Sequence, residues 1–261
     1  MPEGHGLAVV TGAARGIGAA VGIDLAERGW SLLLVDACAG QPGIAYPMPA
    51  LAELQDVAER SARAGAREVE VLQADVSAPE FGSRLSAALD GRTAGAAVAA
   101  AGVIGGGPAW ATDEELWSTL LNVNLHGTRR LAEATVPGMI RASHGRFVAI
   151  ASTAALRALP QLAAYAAAKS AIAGFVRSLA ADLAGSGVTA NAICPGSTRG
   201  AMLAASAAVY DLPDQEAFAD QQLLRRLLEP GEVAAAAAWL CGEEASALTG
   251  AVIPVDGGLG S

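Results

Sequence analysis

Seven short apolar runs, separated by longer stretches with helical patterning, set the limits on what this chain can become. The runs are Leu7 to Val10, Ser31 to Val35, Val69 to Gln73, Ala96 to Ala100, Arg146 to Ile150, Gly187 to Ile193 and Ala251 to Val255. Runs this apolar suit strands buried on both faces, as in a parallel sheet covered by helices. Strands that alternate with helical stretches build repeated βαβ units. The predicted fold class is α/β: a doubly wound parallel sheet of about seven strands with helices on both faces. No long linker or internal repeat divides residues 1–261, so a single domain is expected.

Composition removes several function classes. The formal net charge is −9 and no basic run is present, which argues against a nucleic-acid partner. The longest uncharged stretch, Thr93 to Thr112, holds five Gly and a Pro and is a poor membrane helix. The start, Met1-Pro2-Glu3-Gly4-His5, shows no signal-peptide pattern, so a cytoplasmic location is expected. Three widely spaced cysteines, Cys38, Cys194 and Cys241, suit free thiols in a reducing compartment and form no metal pattern. The three His residues show no ligand spacing either, so no metal is expected.

The first run leads into Thr11-Gly12-Ala13-Ala14-Arg15-Gly16-Ile17-Gly18, and a helix is expected from about Ile17 to Arg28. Glycines there permit a tight turn and a close backbone approach to a pyrophosphate, and the helix N-terminus supplies N–H groups to that anion. This makes the sheet Rossmann-type. Asp36 ends the second strand, 18 residues after Gly18. A carboxylate there accepts hydrogen bonds from a ribose hydroxyl pair and repels a 2′-phosphate, which favours NAD. Arg15 pulls the other way, because a basic side chain beside the loop could meet a 2′-phosphate, but it is long enough to turn to solvent.

Of the 17 basic residues, 16 are Arg and one is Lys, at position 169. Tyr165 precedes Lys169 by four residues on a helix expected from Ala163 to Leu183, so the two share a face. A phenol that serves as a base near neutrality must lose about 3 units of pKa, or about 4 kcal/mol. An ammonium about 4 Å away supplies about that much at an effective dielectric near 20. Ser152 stands at the end of the fifth strand, 13 residues before Tyr165. A composition that replaces Lys by Arg elsewhere would keep Lys only where a compact ammonium is needed.

Taken in order, Thr11 to Gly18, Asp36, Asp75-Val76, Asn122-Val123-Asn124, Ser152, Tyr165 to Lys169, Pro195-Gly196 and Val255-Asp256-Gly257-Gly258 resemble the short-chain dehydrogenase/reductase family over nearly the whole chain. The resemblance implies that Tyr165 is the general acid/base and that Ser152 bonds the substrate oxygen. It implies that Lys169 lowers the Tyr165 pKa and holds the nicotinamide ribose, while Asn124 holds a water behind Lys169. It further implies that NAD rests against Gly12, Arg15, Gly16, Ile17 and Gly18, with Asp36 at the ribose and Asp75-Val76 at the adenine. Ala101 and Gly102 would border the dinucleotide, and Pro195, Gly196 and Thr198 would line the nicotinamide. Two places depart from the family pattern. Ala99-Ala100 stands where amide side chains are usual, and Gly200 stands where a Thr is common.

Cys38 to Pro49 holds three Pro and two Gly, and the next helix starts only near Leu51. This extended loop, near the cofactor end at 38–50, is similar to that of the mycofactocin-coupled branch. In that branch an insertion covers NAD, and the peptide-derived carrier mycofactocin takes the hydride onward. The resemblance also implies a homotetramer through the helix carrying Ala164, Ala167, Ala168 and Ala171. A second interrupting segment, 197–222, is a candidate substrate lid. The pocket wall is expected from Ile104 to Trp110, Thr153 to Leu162 and Ser197 to Gln222. It is mostly apolar and uncharged, which suits a small or medium hydrophobic alcohol or ketone. Trp110 and Trp117 read as core or interface, and Asn191 as structural. Two alternatives stand beside this reading. One is a conventional reductase using free NAD(P)(H), such as a 3-oxoacyl reductase; the other is a non-catalytic Rossmann redox sensor.

Overall fold

The computed structural model describes residues 6–260. Its seven strands form one parallel sheet: β1 (Leu7–Thr11), β2 (Ser31–Asp36), β3 (Val69–Gln73), β4 (Ala94–Ala99), β5 (Gly145–Ile150), β6 (Val188–Pro195) and β7 (Val252–Val255). The spatial order is β3-β2-β1-β4-β5-β6-β7. The chain winds outward in one direction from β1 and then in the other from β4. The carboxyl ends of β1 and β4 therefore flank the crevice where a doubly wound sheet binds its ligand.

Alternation along the strands fills two cores. Leu7 and Val9 of β1 face one layer with Phe147 and Ala149, while Ala8 and Val10 face the other with Val148 and Ile150. Helix α1 (Gly16–Glu27), α2 (Leu51–Ala64) and α8 (Pro230–Cys241) cover the second face. Helix α3 (Phe81–Leu89), α4 (Glu114–Leu120), α5 (Gly127–Arg141) and α6 (Ala163–Asp182) cover the first. A further helix, α7 (Ala201–Val209), lies within the segment read as a lid.

Three details bear on the site. A π-helical turn, Leu121–His126, joins α4 to α5 and carries Asn124. The wide turn shifts one residue relative to α-helical phase, which aims Asn124 inward where it is fully buried. Residues 37–50 contain no regular helix or strand, as expected. Trp110 is 90% exposed, so the core reading fails for it, whereas Trp117 packs against the core. The tryptophan sits in a glycine-rich loop that no helix covers, so its ring finds no layer to enter. No described helix is long and apolar enough to cross a membrane.

Candidate active site

A cavity of about 770 Å³ opens at the carboxyl ends of β1, β4, β5 and β6. The glycine-rich loop forms its floor at one end. Gly12 has φ +67°, and a Cβ there would stand 2.6 Å from the Ala101 backbone. A Cβ on Gly18 would stand 2.1 Å from the Gly12 carbonyl oxygen. These two glycines let the loop fold tightly against the β4 end. Gly16, at φ +58°, has nothing within 4 Å of its missing Cβ and opens to the cavity. The α1 N-terminus thus meets a cradle shaped for an anion, where its unpaired amides are stabilising. The alanines at 99 and 100 supply no amide side chain, and the Thr11 hydroxyl ties the strands there. It donates to the Val98 carbonyl at 3.4 Å and accepts from the Ala101 N–H at 3.3 Å, tying β1 to β4.

Asp36 ends β2 at the cavity wall, where its carboxylate accepts from the N–H groups of Ala14 at 3.1 Å and Cys38 at 3.0 Å. Asp75 and Val76 line the same end, with one Asp75 oxygen taken by the Ser77 N–H. Its other oxygen accepts from Gln41 Nε2 at 2.9 Å. Arg15 lines the same end of the cavity, half-buried against the extended loop. Its Nη1 donates to the Pro47 carbonyl at 2.8 Å, and its guanidinium lies 5.8 Å from the centre of the Tyr46 ring. The extended loop supplies both partners, so it captures a cation that sequence reading left free.

The same loop reaches further. The Tyr46 hydroxyl accepts from the Ile104 N–H at 3.1 Å, beyond the end of β4. Contacts of Gln41, Tyr46 and Pro47 to three separate segments make residues 38–50 a strap across the cavity. Tyr46, which lines the cavity, is legible in the sequence only as part of a loop. Its rarity, as one of three tyrosines, was the available signal.

At the other end, Ser152, Tyr165 and Lys169 line the cavity together. Ser152 follows β5 and caps the short turn Thr153–Ala155, its Oγ accepting from the Ala154 N–H at 3.1 Å. Tyr165 and Lys169 lie one turn apart on α6, both buried. Lys169 Nζ donates to the Ile150 carbonyl at 2.8 Å and stands 5.6 Å from the Tyr165 ring centre. Gly102 permits this crowding: a Cβ there would be 2.8 Å from Asn124 Oδ1 and 3.5 Å from Lys169 Nζ. The Asn124 side chain is fully engaged with backbone. Its Oδ1 accepts from the Val103 N–H, and its Nδ2 donates to the carbonyls of Val103 and Leu120.

Burial dominates the electrostatics. It pushes the Tyr165 phenol up to about 12, against the Ser152 hydrogen bond, with smaller upward contributions from Tyr46 and Cys194. It also pushes Lys169 down to about 8. The protein by itself therefore does not lower the phenol, contrary to the simple expectation from Lys169. Desolvation disfavours the charged form of each group and is the largest cause at both.

Pro195, Gly196 and Thr198 line the cavity beyond β6, and the Thr198 hydroxyl is turned onto the Gly196 carbonyl at 3.1 Å. Gly200 offers no side chain there, and its N–H donates to Gln215 Oε1 at 3.1 Å. Asn191 is structural: it bonds the Leu248 carbonyl and the Ala251 N–H beside β7. Met202, Leu203, Ser206, Tyr210 and Phe218 of segment 197–222 complete the wall, and the Tyr210 hydroxyl donates to the Pro160 carbonyl at 2.7 Å.

The comparisons with known proteins agree with this geometry. The family model described as enoyl-(acyl carrier protein) reductase matches residues 12–260. The chain belongs to the short-chain dehydrogenase/reductase family. As a member of this family it is an enzyme, an oxidoreductase. An uncharacterised NAD-dependent oxidoreductase of Mycobacterium tuberculosis is 35% identical over 266 residues, covering 97% of this chain and 96% of the relative. A cis-4-hydroxycyclohexanecarboxylate dehydrogenase of Sinomonas cyclohexanicum is 33% identical, covering 97% of this chain and 95% of its own. Among solved structures, carveol dehydrogenase from Mycobacterium avium in complex with NAD superposes with a TM-score of 0.92. It is 25% identical and covers 98% of both chains.

Proposed function

We propose that this short-chain dehydrogenase/reductase interconverts a primary or secondary alcohol and its carbonyl compound, with Tyr165 as general acid/base. The carrying observation is the convergence of Ser152, Tyr165 and Lys169 on one cavity with the glycine cradle and Asp36 at its other end. NAD is the cofactor. The cradle of Gly12, Gly16, Ile17 and Gly18 fits its pyrophosphate, and Asp36, Asp75 and Val76 fit its adenosine half. Ala101, Gly102, Pro195, Gly196 and Thr198 border the remainder. Bound NAD supplies the hydride acceptor and, when oxidised, a further positive charge.

The protein's own residues handle the proton. In oxidation Ser152 donates to the substrate oxygen and Tyr165 removes the hydroxyl proton. In reduction Tyr165 returns that proton to the carbonyl oxygen. Lys169, held on the Ile150 carbonyl, keeps an ammonium beside the phenol and within reach of a ribose. Asn124 braces the segment after β4 against this group, and its π-helical turn is the place for a water behind Lys169. General acid/base assistance of this kind contributes about 10²–10⁴-fold.

The strap supports a finer reading, in which NAD stays bound through turnover and is re-oxidised in place by mycofactocin. Release requires parting the Gln41, Tyr46 and Pro47 contacts from three segments. A reductase exchanging free NAD(P)(H), of the 3-oxoacyl type, would gain nothing from such a closure. Denaturing extraction of extensively dialysed protein tests this, followed by an alcohol panel with an artificial electron acceptor. Retained NAD and turnover on the acceptor support the reading; cofactor-free protein that cycles on added NAD overturns it.

The assembly proposed is a homotetramer. Of the four alanines on α6, Ala164 and Ala168 enter the protein's own core, and Ala167 and Ala171 remain at the surface for a neighbouring helix. A monomeric mass by light scattering would contradict it.

A further inference from the structure

The alcohol end of the cavity is walled mainly by apolar side chains, among them Leu159, Leu162, Met202 and Leu259. Arg157 interrupts this wall. It follows the turn after Ser152, where its N–H closes on the Thr153 carbonyl at 3.0 Å. Its Nη1 donates to the Leu259 carbonyl. A carbonyl orients a guanidinium but leaves its charge uncompensated and most of its five N–H donors free.

Among the described residues Arg157 makes no ion pair. Of the other cations of the wall, Arg199 is paired with Glu216 and Glu229. Arg15 is turned onto the strap at the dinucleotide end, and Lys169 is buried on the Ile150 carbonyl beside Tyr165. The two carboxylates of the wall, Asp36 and Asp75, stand at the dinucleotide end. Among the described residues the wall thus carries its acids at one end and, at the mouth of the other, the exposed Arg157 with no carboxylate paired to it.

We infer that the substrate carries a carboxylate remote from its reacting hydroxyl, and that Arg157 receives it. This rests on the reading of the cavity as an alcohol-oxidising site and names the substrate class within it. A planar carboxylate fits the guanidinium fork through two parallel N–H···O bonds. The Leu259 tether holds that fork at the mouth, so the apolar body of the ligand lies along Leu159 and Leu162 toward Ser152 and Tyr165. Arg157 is exposed, so its contribution is sensitive to salt.

The test compares 4-(hydroxymethyl)benzoate with 4-(hydroxymethyl)benzamide, which differ in charge and little in shape. Binding to NADH-loaded protein, in which neither alcohol can be oxidised, is read by isothermal titration, independently of turnover. Wild type is expected to hold the carboxylate about tenfold tighter than the amide. Arg157→Gln is expected to remove that preference while leaving amide affinity unchanged, and Arg157→Lys to keep part of it. Equal affinities in wild type, a preference that survives Arg157→Gln, or no binding of the carboxylate at about 10 mM each overturn the inference. Turnover of the amide with an electron acceptor, run in parallel, reports on the oxidoreductase reading separately.

Discussion

The Tyr46 hydroxyl accepts a hydrogen bond at 3.1 Å from the backbone N–H of Ile104, 58 residues further along the chain. One end of this contact belongs to the strap and the other to the segment leaving β4, so the bond ties the strap across the cavity wall. A neutral hydrogen bond contributes about 1 kcal/mol, or about fivefold in a rate that requires breaking it. Tyr46→Phe is expected to speed NAD loss by about that factor, with an unchanged thermal midpoint of the NAD-free protein. Fluorescence decay of bound NADH after dilution into a trap measures it.

Tyr165→Phe is expected to keep the fold and lose about 10²–10⁴ in kcat, since only the hydroxyl is removed from a buried ring. The raised phenol also fixes the pH trend. Below its pKa the phenolate fraction grows tenfold per unit, so wild-type alcohol oxidation should rise with pH from neutral upward. Circular dichroism and a pH profile of kcat/KM check both statements.

Lys169 carries a linkage that can be read without activity. Its amine is pushed down to about 8 in the fold, while an unfolded lysine titrates near 10.5. Between those values the unfolded chain binds more protons, so this group's contribution raises stability as pH rises through the window. Below about 8 both states are protonated, and the cost of burying the charge is felt in full. Urea midpoints of wild type should therefore gain on those of Lys169→Met between pH 8 and 10.5. A difference that stays flat across that interval would show that the buried amine is not perturbed.

Asp36→Ala is expected to reduce NAD preference over NADP by at least about tenfold, because a carboxylate beside a 2′-phosphate is strongly repulsive. The same change frees the N–H groups of Ala14 and Cys38, so NAD itself should also bind more weakly. Competitive titration with the two oxidised dinucleotides separates these effects.

Much of the fold was legible because buried parallel strands must be apolar on both faces. The runs at Val9, Leu33, Val98 and Val148 admit no other placement. The edge strand β3 was readable from its branched residues although Val71 is partly exposed. Boundaries moved by a residue or two, most at β4, which starts at Ala94, and at β6, which extends to Pro195. The glycine loop and the Tyr165–Lys169 pair were legible because their geometry is local. The destinations of Arg15 and Tyr46 were not, since each contact spans 32 or more residues and depends on how an irregular loop packs. The π-turn at Asn124 was hidden because one extra residue in a helix leaves the surrounding apolar pattern almost intact. The raised phenol was hidden too, because a spacing shows a nearby ammonium and not the water excluded around it.

Lys169 is the only side-chain amine in the sequence, and it is 4% exposed at the bottom of the cavity. An acylating reagent added to this protein has one ε-nitrogen to find, and it must enter through the mouth to find it. With an amine near pKa 8, about half is in the nucleophilic neutral form at that pH. Mass increase at this single position would then be a clock for how often the strap and the segment over α6 part, and a filled cavity would stop it.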